Sequence, residues 1–236
     1  MPEKIPVIGI LMLDTSFFDV PGCGGSDDTF SFQVKRRVVK GASVERMTSG
    51  DEHLLHALIE AAQALEGDGV DAIIGDCGFM ALFQKALQDQ VKVPVFTSSL
   101  LLVPLVAAMI PKGKRVGILT YRADTLQEAH FQGAGWSSKE VSVAVAGVQD
   151  QSAWRLFGTP EHPFHRDDLE RQLLEVSRNF ADEHHDLGAI VLECTVMPPF
   201  AHKIQAETGL PVFDFTMAAT LVAESLSRKP FNKKLE

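Results

Sequence analysis

The chain has 236 residues, with 22 basic and 31 acidic side chains for a formal charge of −9, and is 45% hydrophobic and 22% charged. At ~150 residues per domain it can hold one large or two small domains with a sizeable core, which excludes disorder as its main state. The acidic balance argues against a nucleic-acid partner, and the longest apolar stretch, Leu100 to Pro111, is broken by Pro104 and falls short of the ~20 residues of a membrane span.

The apolar run Ile5–Leu13 follows a single lysine and stops at Asp14 without a small-residue cleavage site, so no secretory signal is expected and a cytoplasmic location is. Short β-branched runs alternate with longer amphipathic segments, the pattern of a mostly parallel sheet covered by helices, so the class is α/β. In chain order the expected strands are Pro6–Leu13, Phe32–Val39, Val70–Gly75, Val93–Phe96, Arg115–Thr120, Val141–Ala146, Ala189–Glu193 and Pro211–Phe213. Each is too short or too continuously apolar for a surface helix. Helices fill the intervals. Glu52–Glu66 carries Leu55, Leu58, Ile59, Ala62 and Leu65 on one stripe, and Asp167–His184 opens on carboxylates suited to a helix N-terminus. The helix expected over Leu100–Ile110 is too apolar for solvent, so it belongs to the core or to an oligomer contact.

The two halves of the chain repeat. Ala72-Ile73-Ile74-Gly75-Asp76-Cys77-Gly78-Phe79-Met80 aligns with Ala189-Ile190-Val191-Leu192-Glu193-Cys194-Thr195-Val196-Met197 at an offset of 117 residues. The same offset of 117 sets Val93-Pro94-Val95-Phe96-Thr97 against Leu210-Pro211-Val212-Phe213-Asp214, so the register survives an intervening helix. Earlier, Ile8-Gly9-Ile10-Leu11 matches Val116-Gly117-Ile118-Leu119 at 108, which places about nine additional residues around Gln149–Arg166. Parallel strands can read alike without duplication, but the matched cysteines favour a true repeat. Two similar α/β domains with parallel sheets are therefore expected, related by a pseudo-twofold axis with a site in the cleft between them. The first spans residues 1–98 and the second 99–215, with a C-terminal helix over 216–236 packing back on the first.

Three cysteines, Cys23, Cys77 and Cys194, are too few and too far apart for a disulfide scaffold. Cys77 and Cys194 each follow a buried parallel strand and precede a segment that can start a helix, where open α/β sheets place their ligand sites. Backbone N–H groups and a helix dipole there should lower a thiol from ~8.5 toward neutrality. On opposite walls of one cleft, one cysteine as thiolate removes a proton from the carbon next to a carboxylate. The other, as thiol, returns a proton to the opposite face, with no metal or redox change. Cysteine also packs as an inert core residue, and the matched positions are what favour chemistry. Thr97, Ser98 and Ser99 after one strand, and Thr120 and Tyr121 after another, are donors for an anion or caps of the following helices. Asp76 and Glu193 directly precede the cysteines, and strand alternation turns them away from the thiols, toward a structural or inter-domain role.

Asp14-Thr15 after the first strand, Cys77, and Cys194-Thr195 with Pro198 resemble the aspartate/glutamate/hydantoin racemase superfamily over nearly the whole chain. Its glutamate racemases read D-S, C-N-T and C-T-H at these places and are cofactor-independent enzymes using two cysteines in a pseudo-symmetric two-domain fold. By that resemblance Cys77 and Cys194 are the acid/base pair and Asp14 is a supporting or substrate-binding carboxylate. No cofactor is implied. Here Gly78-Phe79 replaces the Asn-Thr that helps bind the substrate carboxylate, and Val196 replaces the histidine. Phe79, Val196, Met197 and Phe17 would make the cleft more apolar than an amino-acid dicarboxylate site, so a less polar or unusual substrate is expected. Related branches include hydantoin racemases, maleate isomerases and arylmalonate decarboxylases, and the decarboxylases keep only one of the two cysteines. The expected substrate-binding set is Asp14, Thr15, Gly78, Phe79, Thr97, Ser98, Thr120, Thr195 and Val196, around a small carboxylate-containing substrate.

Other motifs carry less. Pro21-Gly22-Cys23-Gly24-Gly25 lacks the Gly-Lys-Ser/Thr ending of a phosphate loop and is expected, with Gly22–Asp28, as a loop over the cleft. His162, His165, His184 and His185 lack recognised ligand spacing, so no metal site is expected. Arg36-Arg37 and the tail Lys229–Lys234 read as solvated surface. A homodimer or higher homo-oligomer is expected from the Leu100–Ile110 stretch and the resemblance, and neither a nucleic-acid nor a membrane partner is expected. The expected function is an isomerase that inverts a carbon next to a carboxylate or related carbonyl, with Cys77 and Cys194 as opposed acid and base. Open alternatives are cis–trans isomerisation or decarboxylation with one cysteine as nucleophile, and a non-catalytic two-lobed binder of a small acid. A thiol-redox role is weaker, because the two are not arranged as Cys-X-X-Cys.

Overall fold

A computed structural model describes residues 5–15, 20–155 and 165–228 of the chain. Strand β1 (Val7–Met12) is apolar on both faces and lies inside a sheet, beside the edge strand β2 (Gln33–Val38) with its Lys35, Arg36 and Arg37. The short helix α1 (Val44–Thr48), capped by Ser43, and α2 (Leu54–Gly67) lead to β3 (Ala72–Gly75), α3 (Gln84–Gln88) and β4 (Val95–Phe96). All neighbours pair in parallel, in the order β2-β1-β3-β4.

Helix α4 (Val103–Met109) crosses to a second half that repeats the arrangement. It contains β5 (Arg115–Thr120), α5 (Glu128–Gly133), β6 (Val143–Gly147), α6 (Ser152–Arg155), α7 (Arg166–Glu183), β7 (Leu187–Leu192), α8 (Ala201–Thr208) and β8 (Val212–Phe213). Its sheet runs β6-β5-β7-β8, also parallel, so each strand holds the position of its counterpart in the first sheet. The repeated glycines have one physical reason. A Cβ on Gly9 of β1 would meet Leu65 of α2 at 3.0 Å, and one on Gly117 of β5 would meet Phe180 of α7 at 2.8 Å. Glycine lets each helix lie this close to its central strand without its side chains giving way.

Helix α9 (Phe215–Leu226) starts at Asp214, whose carboxylate accepts from the N–H groups of Thr216 and Met217. It lays Phe215, Ala219 and Ala223 against Ile8, Ile10, Ala72 and Ile74, so this helix covers the first sheet.

All eight expected strands are present, with ends trimmed or shifted by a few residues. The single helix expected over Leu100–Ile110 is instead a 3-10 turn (Ser99–Leu102) followed by α4. Pro104 has no N–H to offer the Leu100 carbonyl, and the indole of Trp136 takes that carbonyl at 2.9 Å. Leu100, Leu102, Val103 and Val106 are core, whereas Leu105 and Met109 are exposed. No helix among the described residues is long and apolar enough to cross a membrane. Phe17, His162 and the tail Lys229–Lys234 lie outside the described residues.

Candidate active site

β3 and β7 each end two residues before a cysteine. Pairing with the central strand reaches one residue further, where the N–H of Asp76 donates to Leu11 at 3.0 Å and that of Glu193 to Leu119 at 2.8 Å, and the chain then leaves the sheet. Cys77 is extended and opens the 3-10 turn Gly78–Phe83, while Cys194 leads through Thr195 to the 3-10 turn Pro198–Phe200. Each thiol accepts the backbone N–H two residues on, from Phe79 for Cys77 and from Val196 for Cys194. The two cysteines are thus equivalent in position and in local bonding.

Both open on one cavity of about 450 Å³, counted out to its mouth. Cys77, Gly78, Phe79, Cys194, Thr195 and Val196 form its floor from the two repeated motifs, with Asp76 and Glu193 beside them. Leu13, Val44, Thr48 and Tyr121 complete the lining, and no Lys, Arg or His is among the described residues that do so. The halves are fastened here. Thr195 donates its hydroxyl to the Asp76 carbonyl at 2.9 Å and Ser99 donates to the Leu192 carbonyl at 2.7 Å. Behind the floor, α5 meets the turn after Cys77, with the His130 ring edge-on to Phe79 at 5.1 Å between centroids.

Burial pushes both thiols well above the ordinary range, and the neighbouring Glu193 carboxylate adds to the effect. The amides of Phe79 and Val196 act in the opposite sense, but the expected lowering toward neutrality is overturned because desolvation outweighs two hydrogen bonds. Burial likewise raises the Glu193 carboxyl to about 7, opposed by the Thr120 hydroxyl and the Tyr121 backbone N–H. Thr120 donates to Oε2 at 2.6 Å, while Oε1 is buried without a hydrogen-bond partner. That carboxyl lies over Gly78 so closely that a Cβ there would stand 2.2 Å from Oε1.

Of the residues expected from the sequence, Cys77, Gly78, Phe79, Cys194, Thr195 and Val196 line the cavity. The others are placed elsewhere. The Thr97 hydroxyl donates to Gln84 at 2.8 Å, Ser98 accepts the Leu100 N–H at 3.1 Å as a cap, and Thr120 holds Glu193. The exposed Asp14 accepts the Gly41 N–H at 2.9 Å, and Thr15, half-buried, is not among the lining residues. Cys23 is buried in the core of the second half, close enough to Cys194 to act on its charge. Its loop spans both motifs, since a Cβ on Gly22 would strike Pro199 at 2.9 Å and one on Gly24 would strike Asp76 at 2.3 Å. Arg36 holds the loop by donating to the carbonyls of Gly24 and Ser26, each at 2.8 Å. No cluster of three or more potential metal ligands occurs among the described residues.

Sequence reasoning set aside Asp76 and Glu193, and it did not single out α1, which supplies Val44 and Thr48. Alternation does put Glu193 on the face of Ala189 and Val191, opposite Cys194 with Ile190 and Leu192. That face is turned toward the first half, so the carboxyl reaches Gly78 and the cavity. The signal was present as an acidic residue at equivalent positions of the repeat.

Two parallel sheets of one topology, each ending in a cysteine on a shared cavity, define a duplicated α/β enzyme architecture. The chain belongs to the Asp/Glu/hydantoin racemase family, whose pattern it matches over residues 41–223. It is 30% identical over 220 residues to a dimethylsulfoniopropionate lyase of Durusdinium sp. clade D, covering 90% of this chain and 72% of that one. It is 27% identical over 237 residues to dimethylsulfoniopropionate lyase 3 of Emiliania huxleyi (strain CCMP1516), covering 95% of this chain and 61% of that relative. Solved structures of the same fold include an arylmalonate decarboxylase, with a TM-score of 0.62 and 14% identity over 98% of this chain and 96% of the other. The allantoin racemase of Klebsiella pneumoniae has a TM-score of 0.61 and 18% identity over 98% of this chain and 96% of the other.

Proposed function

We propose that this protein is a lyase that takes the α-proton of a small β-sulfonio carboxylate with a cysteine thiolate and expels a dialkyl sulfide. The reading shares its first step, removal of a proton next to a carboxylate, with the isomerase expected from the sequence, and departs from it in the fate of the electron pair. The thiolate of Cys77 or Cys194 accepts the α-proton, the C–H pair becomes the carbon–carbon double bond, and the bond from the β-carbon to sulfur breaks with its electrons leaving on the sulfide. For dimethylsulfoniopropionate the products are acrylate, dimethyl sulfide and a proton, which the thiol gives back to solvent.

The observation that carries this reading is the pair of equivalent thiols on one largely apolar cavity, together with the likeness to dimethylsulfoniopropionate lyases over most of the chain. A leaving group already carrying positive charge needs no acid to assist it, in keeping with a cavity whose described lining has no Lys, Arg or His. Racemisation is the second reading, favoured by the matched local bonding of the two cysteines, because inversion needs a base and an acid on opposite faces.

The test is proton NMR in deuterated water with dimethylsulfoniopropionate and, in parallel, a panel of chiral amino acids and hydantoins. Equimolar acrylate and dimethyl sulfide are expected. Enzyme-dependent exchange of α-protons in the panel, with no acrylate, would replace the lyase by a racemase.

A further inference from the structure

Glu193 is the part of the site that proton removal alone leaves unexplained. The residue is 1% exposed and lines the cavity, with one side-chain oxygen held by Thr120 and the other buried without a partner. A carboxylate withdrawn from water and only half-paired is unfavourable until a ligand compensates it. Asp76 adds a second acidic side chain to the wall, and no basic residue stands among the described lining. A dicarboxylate would meet like charge there. A primary ammonium would bring three N–H donors needing acceptors, against a wall otherwise apolar at Leu13, Val44, Phe79 and Val196. A methylated onium centre satisfies both conditions, because it carries charge without N–H groups and its methyls pack on apolar and aromatic surface.

We infer that Glu193 is the specificity-determining residue of this site, recognising a methylated onium cation on a zwitterionic carboxylate, with Phe79 and Tyr121 offering aromatic surface to its methyl groups. The inference rests on the reading of the substrate as a small carboxylate and deepens it, but it concerns binding rather than turnover.

The test compares two probes by calorimetry, (trimethylammonio)acetate, whose onium sits on the α-carbon and so cannot leave by this elimination, and its carbon isostere 3,3-dimethylbutanoate, which is neutral at the quaternary centre. At about pH 8, where the Glu193 carboxyl is ionised, the wild-type protein should bind the cationic probe about tenfold tighter or more, and Glu193→Gln should abolish that preference. Equal or tighter binding of the neutral probe by the wild type, a preference that survives in Glu193→Gln, or binding of neither probe overturns the inference. The wild-type comparison needs no variant and so does not depend on how Glu193→Gln folds. A clear cationic preference without acrylate formation removes the lyase reading and leaves Glu193 its role, whereas acrylate formation with a neutral preference does the reverse.

Discussion

The hydroxyl of Thr195 donates to the carbonyl of Asp76 at 2.9 Å, between residues 119 apart in the chain. One partner follows Cys194 and the other precedes Cys77, so this bond spans the two halves beside both thiols. Ser99 and the Leu192 carbonyl make a second such link at 2.7 Å, and Gly78 beneath Glu193 makes a third by close approach. The separation of the two thiols is therefore set by direct contacts at the site.

Under the proposed elimination, replacing the cysteine that would act as base by serine should lower kcat/KM by about 10²–10⁴-fold, the usual worth of a positioned general base, with circular dichroism unchanged. Cys77→Ser and Cys194→Ser, assayed separately by acrylate formation, identify it. Turnover untouched by either change would remove both cysteines from the chemistry, whereas ligand affinity untouched by either change in a protein without turnover would return it to the class of non-catalytic binders.

Glu193 makes stability depend on pH in a calculable direction. Its folded carboxyl titrates near 7, above the ordinary value of 4.5, so between these values the folded state holds a proton that the unfolded state has lost. The stability is fully present below the unfolded value and is lost as pH rises through the folded one, by about 3 kcal/mol in all. Urea midpoints at about pH 5 and about pH 8 should fall less in Glu193→Gln than in the wild type.

His130 has the opposite sense. Burial behind Phe79 holds its imidazole below the ordinary 6.5. Its contribution is complete above that value and is lost as pH falls, because the unfolded chain takes the proton first. His130→Gln keeps a side chain able to accept the Gln127 N–H and should lessen the drop in melting temperature between about pH 7 and about pH 5.

Gly78→Ala tests the seam between the halves. The added Cβ would lie 2.2 Å from the Glu193 carboxyl and 2.3 Å from its carbonyl oxygen, so one motif must move. A loss of about 1–3 kcal/mol is expected by thermal unfolding, with a larger proportional loss of activity. Gly67→Ala, where nothing lies within 4 Å, is the control and should stabilise by about 0.5–1 kcal/mol.

Much of the fold is legible in the sequence. Strands buried on both faces read as unbroken apolar runs, which is why β1, β3, β5 and β7 stand out, and the repeat pairs Cys77 with Cys194 because equivalent strands end at equivalent residues. The glycines of the repeat follow from the same local logic, one helix lying close to each central strand. The 3-10 turn before α4 also has a local cause in Pro104, though its carbonyl partner, Trp136, is 36 residues away.

Glu193 marks the other limit. Chain alternation tells which face of β7 it occupies, but whether that face meets solvent, core or the opposite half depends on how the two sheets are set against each other. Thr120 looks like an anion donor by type, yet its hydroxyl is committed to a carboxylate 73 residues on. Val44 and Thr48 join the cavity only because α1 folds over the turn after Cys77. Periodicity and repeat are properties of neighbours along the chain and survive in sequence. The charge a group carries and the partner it finds depend on desolvation and on contacts between distant segments, and these exist only once the halves have closed on each other.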